Sequence, residues 1–287
     1  MTQTENHPPK NNQDTRLSFC LDPDYLDELA AKYQDAYQQA QPFPHIVIDD
    51  FLPELVLESI LSEFPDPKKI DWQKFNGAGS KKLASKTELQ MGEMTRILLY
   101  QLNSSTFISF LEKLTGIAGI IPDPHLVGGG LHQIETGGYL KVHVDFNRHT
   151  RLNLDRRLNL LLYLNKDWQD EYGGHLELWN RNATRCEKQI LPLFNRCVIF
   201  NTTDFSYHGH PHPLNCPEDR TRKSLALYYY SNGRPAEEIS DSHTTQFQAD
   251  VAEQLKQKPT QVTAKTVFKK LLPPIFIDIK NALSKKP

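Results

Sequence analysis

Between residues 125 and 231 the chain is a succession of short apolar or alternating runs: LHQIE, YLKVHVDF, LNLLLYLN, HLELWN, CVIFN and SLALYYYS. Each run is closed by turn residues, and glycines at 128–130, 137–138 and 173–174 supply much of the punctuation. Runs of this length, rich in β-branched and aromatic residues, predict regularly spaced strands and therefore a sandwich or barrel.

The flanks read differently. Residues 1–16 are polar and predict a disordered lead. Residues 17–124 predict a helical N-terminal support containing one opening strand. Asp22 and Pro23 are a cap and first-turn pair for a helix over 22–40, PFPHIVIDDF (42–51) is a strand bounded by prolines, and PELVLESILSEF (53–64) is a helix. Residues 65–90 lack a clear period and predict a loop with the potential to act as a lid. A helical pattern returns at 91–114 and stops at Gly116. The core is expected at 125–235, and 236–287 is expected to be a helical appendage, with helical character at 248–258. Its apolar stretch VFKKLLPPIFIDIKNAL is broken by Pro273 and Pro274.

Composition narrows the classes. With 38% hydrophobic residues over 287 positions, a sizeable core is expected, and a net charge of -2 argues against nucleic acid as the main partner. Cys20, Cys186, Cys197 and Cys216 form no CxxC pair, which argues against a zinc knuckle or disulfide scaffold and for a reducing cytoplasm. The polar lead does not read as a secretory signal, and no apolar run reaches the length of a membrane span.

The sharpest local signal is His143-Val144-Asp145. In a strand, residues i and i+2 share a face, so an imidazole and a carboxylate point the same way. A second histidine from a distant strand completes a 2-His-1-carboxylate triad, which leaves iron(II) positions open for ligands. His208 in NTTDFSYHGHPHPL follows an apolar strand and is the preferred third ligand, with His210 and His212 as rivals. Arg222, in TRKSLALYYYS, offers a bidentate fork for a carboxylate, with Arg220 as its rival and Ser224 on the same face.

Four segments in this order resemble the prolyl-hydroxylase branch of the 2-oxoglutarate/Fe(II) oxygenases: GGYLKVHVDF, LLYLNKDWQDEYGGHLELW, FNRCVIFNTTDFSYHGHPHPL and TRKSLALYYYS. PFPHIVIDDFLP resembles the strand that opens such proteins. The resemblance implies a mainly β fold with flanking helices around a double-stranded β-helix, a jelly-roll, cupin-like core. It implies His143, Asp145 and His208 as iron ligands, and Arg222 pairing the distal carboxylate of 2-oxoglutarate with help from the Tyr163 hydroxyl. It also implies Fe(2+), 2-oxoglutarate and O2 as requirements, with ascorbate a further candidate, and succinate and CO2 as products. Because Asp145 is retained, hydroxylation is expected, on a prolyl residue of a protein or on a small or sugar-linked metabolite. A non-catalytic jelly-roll binding module, and an interaction protein that docks through its lysine-bearing tail, are the alternatives.

Overall fold

The computed structural model describes residues 20–248. The expected disordered lead and the lysine-bearing tail both lie outside the described residues.

Four helices alternate with the first three strands: α1 (Pro23–Gln38), α2 (Glu54–Glu63), α3 (Glu93–Leu102) and α4 (Ser105–Thr115). Asp22 caps α1 by accepting from the Tyr25 amide at 3.0 Å, with Pro23 at the first helical position. The 91–114 pattern divides into two helices because Ser104 caps a new one, accepting from the Phe107 amide. Gly116 ends α4 at φ 76°, the left-handed conformation that glycine adopts without strain.

The strands are β1 (His45–Ile48), β2 (Gln73–Gly77), β3 (Ser80–Ala84), β4 (Ile121–Pro122), β5 (Gly130–Ile134), β6 (Tyr139–Val144) and β7 (Asp155–Tyr163). They continue with β8 (Leu176–Trp179), β9 (Cys186–Ile190), β10 (Cys197–Asn201), β11 (His208–His210), β12 (Arg222–Ser231) and β13 (Gln246–Phe247). The ladder runs β1-β10-β7-β12-β5-β3-β6-β11-β8-β9, with antiparallel pairing, and curls so that its ends face one another. Alternation divides the central strands between two environments. Leu158, Leu160 and Leu162 of β7 and Leu225 and Leu227 of β12 are buried in one core with α1, α3 and α4. Asn159 and Leu161, Arg222 and Ser224 face the other way, into the curl. Each fully buried leucine contributes about 1.5–3 kcal/mol, so the helices hold the sheet by its outer face and leave the inner face free for chemistry.

Two expectations are corrected. The 65–90 segment is not a plain loop: it forms the β2–β3 hairpin, and β3 joins the curl between β5 and β6. Its polar, lysine-rich sequence hid this, because the hairpin is mostly exposed while β3 turns only some side chains inward. Residues 236–247, assigned to a helical appendage, instead form a short 3-10 turn and β13, which pairs with Val144 and His143 of β6. Among the described residues, no helix is long and apolar enough to cross a membrane.

Candidate active site

His143 and His208 stand opposite one another in the β6–β11 ladder. Gly209 permits this closeness, since a Cβ there would lie 2.8 Å from the Leu140 carbonyl oxygen. The two imidazoles are 4.4 Å apart between ring centres. Each is oriented by the same device: Nδ1 donates to the carbonyl two residues earlier, Lys141 at 2.8 Å and Ser206 at 2.9 Å. That bond fixes the tautomer and directs the Nε2 lone pair inward. Asp145 brings its carboxylate within 3.6 Å of His143 Nε2 and 3.4 Å of His208 Nε2. One ligand atom from each residue lies within 4.8 Å of the others, a cluster that could hold a metal ion.

Asp145 is held from behind. Asn159 Nδ2 donates to its Oδ2 at 2.8 Å and Arg156 Nη2 at 3.0 Å, while the Arg156 fork also donates to Asn159 Oδ1. Arg156 is almost fully buried, its guanidinium 3.5 Å from the Tyr228 ring centre and 4.3 Å from that of Phe146. Burial pushes the Asp145 carboxyl up, but Arg156, His208 and His143 together hold it well below the usual carboxylate range. Burial, with the neighbouring His143, pushes His208 down to about 4. The set is two imidazoles with their Nε2 atoms turned inward and one carboxylate, the donor chemistry of a facial iron(II) site.

The triad occupies one end of a small cleft of about 70 Å³, walled by Ile134, Leu140, Leu161 and Leu176. Arg222 and Ser224 line the same cleft. Arg222 is buried; its Nε donates to Gly174 O at 2.8 Å and its Nη2 to the Tyr163 hydroxyl at 3.3 Å. Tyr163 is fully buried behind the guanidinium and stands opposite Ser224 in the ladder. Arg220 points elsewhere, donating to the carbonyls of Lys166 and Asp167. Of the rival histidines, His212 is exposed and His210 lines the cleft outside the triad.

Several residues of the site escaped the sequence reading. Arg156 and Asn159 sit in RRLNLLLY, where polar residues at spacing within an apolar strand were the available signal. His132 and Lys82 also line the cleft, and Lys82 comes from the hairpin read as a loop. Phe247 of β13 places its ring 5.8 Å from that of His143 and against Gly79 at the hairpin turn.

The curled antiparallel ladder, with the inward triad and the buried arginine at the two ends of one cleft, is a jelly-roll core. Residues 129–230 match the family model described as the 2OG-Fe(II) oxygenase superfamily. It is 26% identical over 200 residues to prolyl 3-hydroxylase OGFOD1 of Mus musculus, covering 66% of this chain. The chain spans about a third of the length of that curated relative, 33%. Among solved structures, it is similar to a Trichoplax adhaerens prolyl hydroxylase in complex with a hypoxia-inducible-factor peptide fragment, at TM-score 0.50 and 17% identity over 72% of this chain and 91% of that one. It is also similar to a prolyl 4-hydroxylase from Phytophthora capsici, at TM-score 0.51 and 19% identity over 84% and 75% of the two chains. These structures share the jelly-roll fold.

Proposed function

We propose that the protein is a 2-oxoglutarate- and O2-dependent hydroxylase. The observation that carries this reading is the pairing, within one cleft, of the His143–Asp145–His208 cluster with the buried fork of Arg222. His143, Asp145 and His208 would hold Fe(2+). When bound, iron and 2-oxoglutarate supply the oxidising power to insert one oxygen atom of O2 into a substrate C–H bond, the other leaving in succinate alongside CO2.

The chain's own residues do the rest. The Lys141 and Ser206 carbonyls keep both Nε2 atoms aimed at one point. Arg156 and Asn159 keep the carboxylate ionised and oriented. Arg222 pairs the distal carboxylate of the co-substrate. Because its Nη2 donates to the Tyr163 oxygen, that hydroxyl hydrogen is free to donate to the same carboxylate, and Ser224 adds a second hydroxyl. The aliphatic wall excludes water, which strengthens each of these interactions.

The relatives named above are prolyl hydroxylases, which supports a prolyl residue in a peptide as the first substrate class, with small or sugar-linked metabolites as the second. Four free cysteines support a reducing, cytoplasmic setting. The test is succinate formation from 2-oxoglutarate, with iron and ascorbate supplied, against panels of prolyl peptides and small molecules. Stimulation by one panel, lost in Asp145→Ala, is the expected result; no succinate from any mixture or from the slow uncoupled reaction would overturn the reading.

A further inference from the structure

The end of the cleft that holds Arg222 contains more hydrogen-bond donors than the assignments above use. Arg222 commits Nε to Gly174 and Nη2 to Tyr163, which leaves Nη1 without a recorded partner. His210 is buried, lines the cleft, and has neither ring nitrogen hydrogen-bonded. Lys82 also lines the cleft, and its ammonium makes no hydrogen bond or ion pair among the described residues; it lies 5.1 Å from the centre of the Phe75 ring.

Strand register puts these groups at one level. His210 of β11 and Ser80 of β3 both stand opposite Leu140, and Arg222 stands opposite Ile134. Lys82 is two residues on from Ser80, so it returns to the inner face where β3 changes partner from β6 to β5. The metal-binding cluster lies at the other level, where His208 faces His143. The one carboxylate lining the cleft is Asp145, which belongs to that other level. A sealed imidazole without a partner, beside a half-buried lysine that bonds to no acceptor among the described residues, makes a place suited to an anion.

We propose that Lys82 and His210 join Arg222 in a three-residue site for the distal carboxylate of the co-substrate, so that they select for a dicarboxylic 2-oxo acid. The inference rests on the 2-oxoglutarate reading above. A carboxylate offers two oxygens and about four lone-pair directions, enough for the free Arg222 nitrogen, a hydroxyl, the Lys82 ammonium and a His210 N–H together. Burial pushes the Lys82 ammonium down to about 8, so it stays mostly charged at neutral pH, and a carboxylate beside it would hold it so.

The experiment is calorimetric titration of the full chain loaded with Mn(II), which binds without turnover. Two ligands are compared: 2-oxoglutarate, and oxalate, which carries a chelating head and no tail. His210→Leu and Lys82→Met should each weaken 2-oxoglutarate by about tenfold or more, equivalent to about 1.4 kcal/mol, and leave oxalate and manganese affinities unchanged. Lys82→Arg and His210→Gln keep a donor and should recover most of the loss, and they serve if the first variants fail to fold. Wild-type affinity for 2-oxoglutarate in both His210→Leu and Lys82→Met overturns the proposal. So does equal loss of 2-oxoglutarate and oxalate, which would place the effect at the metal. Absence of 2-oxoglutarate binding by the wild-type chain would overturn the functional reading and this inference with it.

Discussion

Arg156 donates to the Asp145 carboxylate at 3.0 Å while its guanidinium lies over the rings of Phe146 and Tyr228. Those contacts and the bond to Asn159 hold the fork, so the carboxylate is oriented before any metal arrives. Arg156→Met should therefore lower metal affinity by about 10–100-fold, the usual scale for removing a ligand's supporting partner. Arg156→Lys should recover only part, because an ammonium cannot reach Asp145 and Asn159 together. Competition against a metal chelator measures this, and unchanged affinity in Arg156→Met would refute it.

Direct ligands should behave differently from their neighbours. His143→Ala and Asp145→Ala are expected to abolish tight binding of about one Fe(II) per chain, and His208→Ala likewise. His210→Ala should leave metal content unchanged, since His210 lies outside the cluster. Metal analysis after gel filtration decides, and loss of iron in His210→Ala alone would reassign the third ligand.

Replacing Arg222 by alanine removes the cation facing a carboxylate that would be buried. The expected loss in 2-oxoglutarate binding is on the order of 2–5 kcal/mol. Arg220→Ala should cost little, because that side chain is occupied by the Lys166 and Asp167 carbonyls. A large effect in Arg220→Ala with none in Arg222→Ala would exchange their roles.

Stability should carry a pH signature from His243. Its Nε2 donates to Asp204 at 3.0 Å and its Nδ1 to the Thr244 carbonyl at 2.8 Å, so both bonds require the charged imidazole. The bond to Asp204 raises its pKa above 6.5, against the opposing effects of burial and Arg234. A raised folded-state pKa stabilises fully below the unfolded value and loses that contribution as pH rises through the folded value. The Tm advantage of wild type over His243→Gln should therefore shrink by about 1–3 °C between roughly pH 6 and 8.5, a modest amount because the pair is partly solvated. A constant difference across that range would exclude the effect.

The core strands were legible because each combines a short apolar run with glycine punctuation, and His143-Val144-Asp145 because two chemistry-bearing residues fall at spacing two. β11 was not legible as a strand: HGH has no apolar pattern, and Gly209 is there for clearance rather than propensity. Lys82 was hidden for a related reason. Its strand, SKKLA, buries Ser80, Leu83 and Ala84 without regular apolar alternation, so no hydrophobic period announces it. The choice between Arg220 and Arg222 likewise depended on which carbonyls lay nearby, a long-range fact that adjacent sequence does not contain.

The backbone pairing of His208 with His143 has an evolutionary consequence. Sixty-two residues of chain, 146–207, separate Asp145 from His208, yet the distance between the two imidazoles is set by the ladder and not by the length of that excursion. Insertions or deletions in the turns around 150, 170 and 182 can remodel the rim of the cleft while the metal-binding geometry stays as it is. Specificity can thus diversify in the excursion while the reactive centre is inherited intact.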